Sequence, residues 1–209
     1  MGGIFKAYDI RGIYGAELTD DVAYRIGKAF VTFLGGCSKV VIGRDMRPHS
    51  IPIFKALARG ITEQGADVID LGLCSTPMCY HANGWLRADA GIMITASHNP
   101  GEWNGFKLCR SQAVPISGDT GIADIEKIVA TGAFARPTGY TGQISSYDIC
   151  ANTRPTCVDS ATSRDRCAWP STLPTAWASS RPRRSPCRSR STRFSTRSTE
   201  HSPTTRPLR

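Results

Sequence analysis

The residues best able to do chemistry lie in the segment 95–100, where a histidine directly follows Ser97. The preceding stretch, 90–94, contains only apolar residues and glycine, which is typical of a strand buried on both faces. Pro100 fixes its own φ and Gly101 tolerates backbone that a side chain would resist, so the strand ends here. We therefore expect Ser97 to lie on a rigid loop that reaches the surface.

Two chemical roles suit Ser97. A serine becomes a nucleophile when a neighbouring base takes its proton, and it carries phosphate where cationic groups can hold that phosphate. His98 follows it directly, and Lys107 lies in the next apolar segment. On this spacing alone, a solvated loop in which Ser97 and His98 have no catalytic role is the alternative.

Four segments of the chain resemble the motifs of one enzyme family. The segment around Ser97 closely resembles the active-site loop of the α-D-phosphohexomutases, the phosphomannomutase and phosphoglucomutase family. The other three resemble the opening motif, the second strand with its turn, and the connection after the third strand, in the family's order. In chain order the motifs are FKAYDIRG (5–12), VIGRDMR (41–47), DLGLCSTP (70–77) and IMITASHNP followed by WNGFK (92–107). By these motifs, residues 1–148 are identified as a member of the family.

This resemblance implies a mutase that moves a phosphate between C1 and C6 of a glucose or mannose phosphate. A hexose bisphosphate is the intermediate and activator. Ser97 matches the serine that carries the phosphate, and Lys107 matches a cation and general acid or base beside the moving group. His98 is placed with these catalytic residues and is expected, with Asn99, to shape the loop and its hydrogen bonds.

Other positions are expected to bind substrate or to brace the site. Tyr8 and Arg11 match residues directed into the cleft toward the substrate. Without the resemblance, Tyr8 would be a core aromatic and Arg11 part of a surface ion pair. Arg44, Asp45 and Arg47 are expected to form an ion-paired turn whose role is more structural than chemical.

The resemblance also implies Mg²⁺, held by the phosphate on Ser97 and by three aspartates of an Asp-Gly-Asp-x-Asp-Arg loop in a second domain. Residues 98–209 contain no two aspartates spaced two positions apart, so Ser97 is the one metal ligand of that set in this sequence. We therefore expect a truncated member of the family with little or no mutase activity of its own.

The alternation of strand and helix patterns predicts an α/β fold, a three-layer sandwich with a mixed, mostly parallel sheet like the first domain of a phosphohexomutase. Thr19 is a predicted N-cap, and Gly35 and Gly36 are predicted to stop the helix that it begins. The other predicted helices lie at 50–64, after Pro77 and at 118–130. The predicted strands lie at 4–10, 39–43, 67–71, 90–97 and 104–108.

The composition changes near residue 150. Residues 1–150 hold 14 basic and 14 acidic residues, whereas 151–209 hold 12 arginines, no lysine and 3 acidic residues, which accounts for the net charge of +9. Serine, threonine, proline and arginine make up 40 of the last 59 residues. Because so little apolar surface cannot offset the entropy of ordering, we expect a domain at 1–148 and a disordered tail at 149–209.

This tail has two interpretations. A basic arm would make the chain a nucleic-acid-binding or interaction protein on an α/β scaffold. A changed reading frame near 149–152 would leave the tail without a selected fold. Synonymous codons for 167–177, read from each third nucleotide, allow RVAVDAPNGM, and those for 198–207 allow DGTLPNHPA. Both resemble later family segments in the correct order, so we favour the shifted frame.

Partners and compartment follow from these observations. A hexose phosphate is the expected partner, and neither a membrane nor nucleic acid is expected. The four cysteines of the first domain lack a CxxC pair or zinc spacing and are interpreted as buried small hydrophobes in a reducing compartment. No apolar run suits a membrane span and the start lacks a signal-peptide pattern, so the cytoplasm is the expected location.

The frame hypothesis makes a prediction about the coding DNA. Downstream of codon 149, the adjacent frame should encode a continuous second domain of the family, because the two recovered segments share one frame. Sequencing the coding DNA measures this directly. An uninterrupted frame shared with similarly tailed relatives, with no second domain in the adjacent frame, would contradict it.

Overall fold

A computed structural model describes residues 3–137, 139–149 and 151. Within these residues, six strands form one sheet in the order β1-β5-β4-β2-β3-β6. β4, β2, β3 and β6 run parallel to one another, and β5 runs antiparallel between β4 and β1. The strands are β1 Ile10–Ile13, β2 Lys39–Arg44, β3 Asp67–Leu73, β4 Ala90–Ile94, β5 Trp103–Arg110 and β6 Ile144–Ser146. The prediction of a mixed, mostly parallel sheet is confirmed.

The helices connect the strands, and two of them begin at side-chain caps. The Thr19 hydroxyl accepts a hydrogen bond from the Val22 amide, and Ser75 does the same for Met78. Each cap satisfies an amide that the first turn of a helix leaves without a partner. The helices are α1 Asp20–Phe33, α2 Ser50–Glu63, α3 Thr76–Trp85 and α4 Ala123–Thr131.

Two buried clusters lie on opposite faces of the sheet. The larger one packs α1, α2 and α4 against the strands, with Phe30 and Phe106 among its largest fully buried side chains. The smaller one packs α3 against Val41, Leu71 and Met93. Helices on both faces give the predicted three-layer α/β sandwich.

Several element bounds differ from the sequence prediction. The first strand begins at Ile10 and not at Ile4, because the chain folds back so that Phe5 pairs with Ile10 in an isolated bridge. β4 ends at Ile94, and a turn rather than a strand leads to Ser97. The predicted helix at 118–130 is divided, because a π-helical turn at Gly118–Ile122 precedes α4. β6 was not predicted.

The cysteine interpretation holds fully for two of the four residues. Cys79 and Cys109 are buried, whereas Cys37 and Cys74 are half-buried, and none of these four cysteines is in a disulfide. Burial raises the pKa of Cys37 to about 12 and that of Cys109 to about 11. Since both values lie well above neutral pH, these thiols stay protonated and pack as small apolar groups.

Apart from Ile149 and Ala151, the predicted tail at 149–209 lies outside the described residues. Ile149 is 1% exposed and belongs to the smaller buried cluster. Among the described helices, none has both the length and the apolar character that crossing a membrane requires.

Helices α1 and α2 approach each other closely through glycine. A Cβ built on Gly60 would lie 2.2 Å from the carbonyl oxygen of Tyr24, and one built on Gly27 would lie 2.5 Å from that of Leu57. Real Cβ atoms do not come so close to backbone, so the helix axes would have to move apart to admit a side chain at either position.

We predict that Gly60→Ala lowers the free energy of unfolding by about 1–3 kcal/mol, because overpacking outweighs the helix propensity that alanine adds. Urea unfolding of the full chain measures the change. Gly84→Ala in α3 is the matched control, since a Cβ there meets nothing within 4 Å. The control should be neutral or stabilising by up to about 1 kcal/mol. Equal effects of the two substitutions would contradict the close packing of α1 on α2.

Candidate active site

The Ser97 loop, residues 95–102, connects β4 to β5 and lies at the carboxyl ends of the parallel strands. β2 lies next to β4, so the turn that follows Arg44 lies beside this loop. β1 pairs with β5 on the other side, which brings the N-terminal segment to the same region. Side chains from three distant parts of the sequence therefore meet around one loop.

Ser97 has a backbone that few non-glycine residues adopt. Its φ is +57°, in the left-handed region, and the residue is exposed. Its amide donates to the Thr95 hydroxyl at 2.9 Å, while Ala96 and Thr95 are buried below it. A left-handed residue costs about 1–2 kcal/mol, so the surrounding contacts must hold it in place. The result is a hydroxyl presented to solvent on a constrained turn, as predicted.

The Ser97 hydroxyl lies beside an imidazole. Its Oγ is 3.0 Å from Nδ1 of His98, and both residues are exposed. When the His98 proton is on Nε2, Nδ1 accepts a hydrogen bond from the hydroxyl. The two side chains are therefore close enough for a base to take the proton of a nucleophile. Cationic side chains also lie near this loop.

A buried carboxylate organises two of these cations. Asp9 is 5% exposed, and its Oδ2 accepts hydrogen bonds from Nε and Nη2 of Arg11 at 2.7 and 2.5 Å. Nζ of Lys107 lies 3.5 Å from the same oxygen. A nearly buried carboxylate is stable only when it is paired, so Asp9 fixes where both cationic groups lie.

Arg11 connects this carboxylate to the loop. Its Nη1 donates to the side-chain oxygen of Asn99 at 2.8 Å, across 88 positions of sequence. Asn99, Arg11, Asp9 and Lys107 thus form one polar chain that reaches from the loop into the sheet. This polar chain contains three of the predicted site residues, Asn99, Arg11 and Lys107. Asp9 is the link between them that the sequence analysis did not single out.

Tyr8 and Tyr80 differ in their surroundings. Tyr8 is 81% exposed, so it is not the core aromatic that the sequence alone would favour. Burial raises the pKa of the half-buried Tyr80, with smaller contributions from Cys109, Cys79 and Asp9. Tyr80 therefore stays a neutral phenol on the α3 face of the sheet at neutral pH.

The predicted ion-paired turn is present with a different set of partners. Arg47 pairs with Asp45 at 3.1 Å, whereas Arg44 pairs with Asp70 on β3 at 2.6 Å. Arg44 is directed to the neighbouring strand because β2 and β3 run parallel side by side. The turn lines an open cavity of about 480 Å³ together with Ser97 and Asn99 of the loop.

Within the part of the chain that the structure describes, no three His, Cys, Asp or Glu side chains are placed to hold a metal ion. Asp9 and Asp45, the carboxylates beside the loop, are both engaged with arginines. The described residues therefore do not build the magnesium site that the resemblance implies. Magnesium bound through a phosphate on Ser97 stays a prediction.

Comparison with known proteins gives one consistent match. Residues 2–136 match the family model described as phosphoglucomutase/phosphomannomutase, alpha/beta/alpha domain I. The chain is 51% identical over 130 residues to a phosphomannomutase of Klebsiella pneumoniae, a match that spans 62% of this chain and 82% of that protein. It is also 51% identical over 130 residues to a phosphomannomutase of Escherichia coli, but the match spans 28% of that protein.

Solved structures show the same likeness. A phosphoglucomutase/phosphomannomutase family protein of Burkholderia thailandensis is similar with a TM-score of 0.69 and 36% identity, over 75% of this chain and 35% of that one. A phosphomannomutase of Thermus thermophilus is similar with a TM-score of 0.64 and 28% identity, again over 75% and 35%. The chain thus spans about a third of the length of these structures.

We predict that Asp9→Asn lowers the free energy of unfolding by about 1–3 kcal/mol, because Arg11 and Lys107 then lie together without a carboxylate. The figure is below that for a fully buried pair because both cations are partly exposed. Urea unfolding measures it. Glu63→Gln is the control, since it removes a charge from the exposed Arg59–Glu63 pair at 3.9 Å. The control should change stability by less than about 0.5 kcal/mol. An Asp9→Asn effect no larger than that of the control would contradict the organising role of Asp9.

Proposed function

Because this chain belongs to the phosphoglucomutase/phosphomannomutase family, we propose that its described domain is the phosphoserine-bearing part of a hexose phosphate mutase. The observation that carries the proposal is the exposed Ser97 hydroxyl on a left-handed turn, with Arg11 and Lys107 held nearby by one carboxylate. The substrate class is a glucose or mannose phosphate, and the reaction moves phosphate between C1 and C6.

Each half of the proposed reaction exchanges one oxygen–phosphorus bond for another. The bond between phosphorus and Ser97 Oγ breaks while a sugar hydroxyl oxygen forms the new bond to phosphorus. The proton of that hydroxyl passes to a base, and Oγ regains a proton. After the bisphosphate turns over, its other phosphoryl group moves back to Oγ, and the proton transfers are reversed.

The cations have the role that phosphoryl transfer demands of a protein. Charge spreads over the peripheral oxygens of the moving group, so positioning and electrostatic stabilisation provide most of the catalysis. Lys107 and Arg11 are 26% and 28% exposed at their side chains, which leaves part of each available to a ligand. We assign Lys107 to the moving phosphoryl group, as cation and general acid or base, and Arg11 to the substrate.

The exposed residues complete the assignment. Tyr8 lies next to Asp9 in sequence and presents its ring to solvent, so it can contact the sugar. His98 is in reach of the Ser97 proton through Nδ1. Asn99 connects the loop to Arg11 and so keeps the nucleophile and a substrate-binding cation in register. We also propose the cytoplasm as the compartment, where hexose phosphates are available.

The alternative of a nucleic-acid-binding or interaction protein gains no support. Its arginine-rich segment, 152–209, lies outside the described residues, and the proteins that the chain resembles are mutases. The described site also offers a hydroxyl beside a histidine, with Lys107 of β5 held by Asp9, which suits phosphoryl transfer better than a binding scaffold.

The proposal predicts that purified chain incubated with glucose 1,6-bisphosphate gains one phosphoryl group on Ser97. Intact-mass analysis and peptide mapping measure the gain. Ser97→Ala should gain no phosphoryl group. Ser111→Ala, which removes an exposed serine outside the site, should gain one, as the chain without substitutions does. Lys107→Met should slow the gain about 10²-fold or more, as expected for loss of a general acid or base.

Two outcomes would contradict the proposal. One is phosphorylation that persists in Ser97→Ala. The other is that the chain without substitutions takes no phosphoryl group from glucose or mannose bisphosphate. A coupled assay with glucose 1-phosphate or mannose 1-phosphate tests the expected near-absence of complete turnover. Turnover that disappears in Ser97→Ala would show that the chain is a complete catalyst.

A further inference from the structure

Arg47 lies against the Ser97 loop with its side chain only 13% exposed. It comes from the turn after β2, about 50 positions before the loop in sequence, as its contacts with Ser97 and Asn99 show. A nearly buried guanidinium must find acceptors for its N–H groups, because leaving one without a partner is costly.

All five N–H groups of Arg47 are engaged. Nε donates to the Asp45 carboxylate at 3.1 Å. Nη1 donates to one loop carbonyl and to the carbonyl of the first residue of β5, at 2.6 and 3.0 Å, and Nη2 donates to two loop carbonyls, at 3.4 and 2.8 Å. The four carbonyl oxygens belong to Pro100, Trp103, Ser97 and Asn99, in that order. Since a guanidinium has five donors, none is left for a phosphate.

The carboxylate behind Arg47 is itself fixed. Oδ1 of Asp45 accepts from the Ser50 hydroxyl at 2.9 Å and from the Arg47 amide at 3.1 Å. Ser50 is 1% exposed, and its hydroxyl in turn accepts a hydrogen bond from the side-chain amide of the fully buried Asn104 at 2.9 Å. Asp45 is thus held from the start of α2 and from β5, so the guanidinium is oriented by elements outside the loop.

This arrangement explains how Ser97 keeps its left-handed backbone. The carbonyls of the loop turn toward one planar group, and that plane sets the path of the chain from Ser97 to Trp103. A lysine could keep the positive charge, but it has three donors around a single nitrogen and cannot reach four carbonyls and a carboxylate together. The shape of the donor, and not only its charge, is what the loop requires.

We propose that Arg47 is a positioning residue that sets the conformation of the Ser97 loop and does not itself bind the phosphoryl group. The effect of Arg47 on phosphoryl transfer rests on the proposed function, whereas its effect on the loop does not. Arg47 acts through the backbone, in contrast to Lys107 and Arg11, whose side chains are more exposed.

Hydrogen exchange of the loop amides tests the structural half in the full chain. In Arg47→Lys, the amides of Ser97, Asn99 and Trp103 should exchange about tenfold faster or more, because their acceptors move when the loop loosens. Amides in α1 should exchange as in the unchanged chain. Arg59→Lys is the control, since Arg59 is 64% exposed at its side chain and lies in a surface pair. It should leave the loop unaffected.

Phosphoryl transfer tests the functional half, with glucose 1,6-bisphosphate as donor. Arg47→Lys should reduce the maximal rate of Ser97 phosphorylation about tenfold or more, because a displaced nucleophile loses alignment. The donor concentration that gives half the maximal rate should stay within about twofold, because Arg47 has no free N–H for the phosphate. In Arg47→Ala, added guanidinium chloride at non-denaturing concentration should restore part of the rate, and ammonium chloride should not.

The outcomes separate this inference from the proposed function. If the unchanged chain takes no phosphate, the proposed function fails, and the exchange experiment still decides the role of Arg47. Loop amides that exchange at the unchanged rate in Arg47→Lys would overturn the positioning role. Equal rescue by ammonium, or a rise in the half-maximal donor concentration with no loss of maximal rate, would instead identify Arg47 as a charge that binds the ligand.

Discussion

The left-handed backbone of Ser97 is the constraint on which the rest of the site depends. If β4 continued as a regular strand through this position, its carbonyls and amides would alternate in direction and the serine side chain would point to one face of the sheet. Here the turn is tight and four carbonyls point to one guanidinium. The strain at Ser97 persists because Thr95, Arg47 and the buried Ala96 fix the loop from different directions.

The positive charges around Ser97 fall into two classes with different consequences. Arg47 is saturated with hydrogen bonds and mostly buried, so its charge stabilises backbone carbonyls. Arg11 and Lys107 share one carboxylate and keep about a quarter of their side-chain surface exposed. Two cations on one carboxylate leave a net positive charge in the polar chain that Asn99 connects to the Ser97 loop. Under the proposed function, a phosphate is attracted by this net charge and contacts the exposed part of each side chain in place of solvent.

The sequence predicted most elements of the fold and the position of the loop, because local chemistry determines them. Pro100 limits the backbone where the loop forms, and Thr19 caps its helix as expected. β6 escaped prediction because Ile144–Ser146 is short and exposed throughout and has no apolar alternation. The pairing of Asp9 with Arg11 was weakly predictable, because residues two positions apart in an extended segment point to the same face. The contacts of Arg47 were not predictable, because its acceptors in the loop are main-chain carbonyls, which every residue has whatever its side chain.

Under the proposed function, the open shape of the site suits the uptake of a phosphoryl group on Ser97 better than the complete reaction cycle. The cavity at Ser97 is open, and a small ligand bound in a working site usually has most of its surface covered. In an open site, water screens the charges of Arg11 and Lys107 and weakens their pull on a developing negative charge. Taking up a phosphoryl group needs one oriented hydroxyl and nearby cations, which the described residues provide. In the proposed cycle, returning the phosphoryl group to the opposite end of the sugar would require the bisphosphate to turn over without being lost to solvent, a demand that a covered site meets better than an open one.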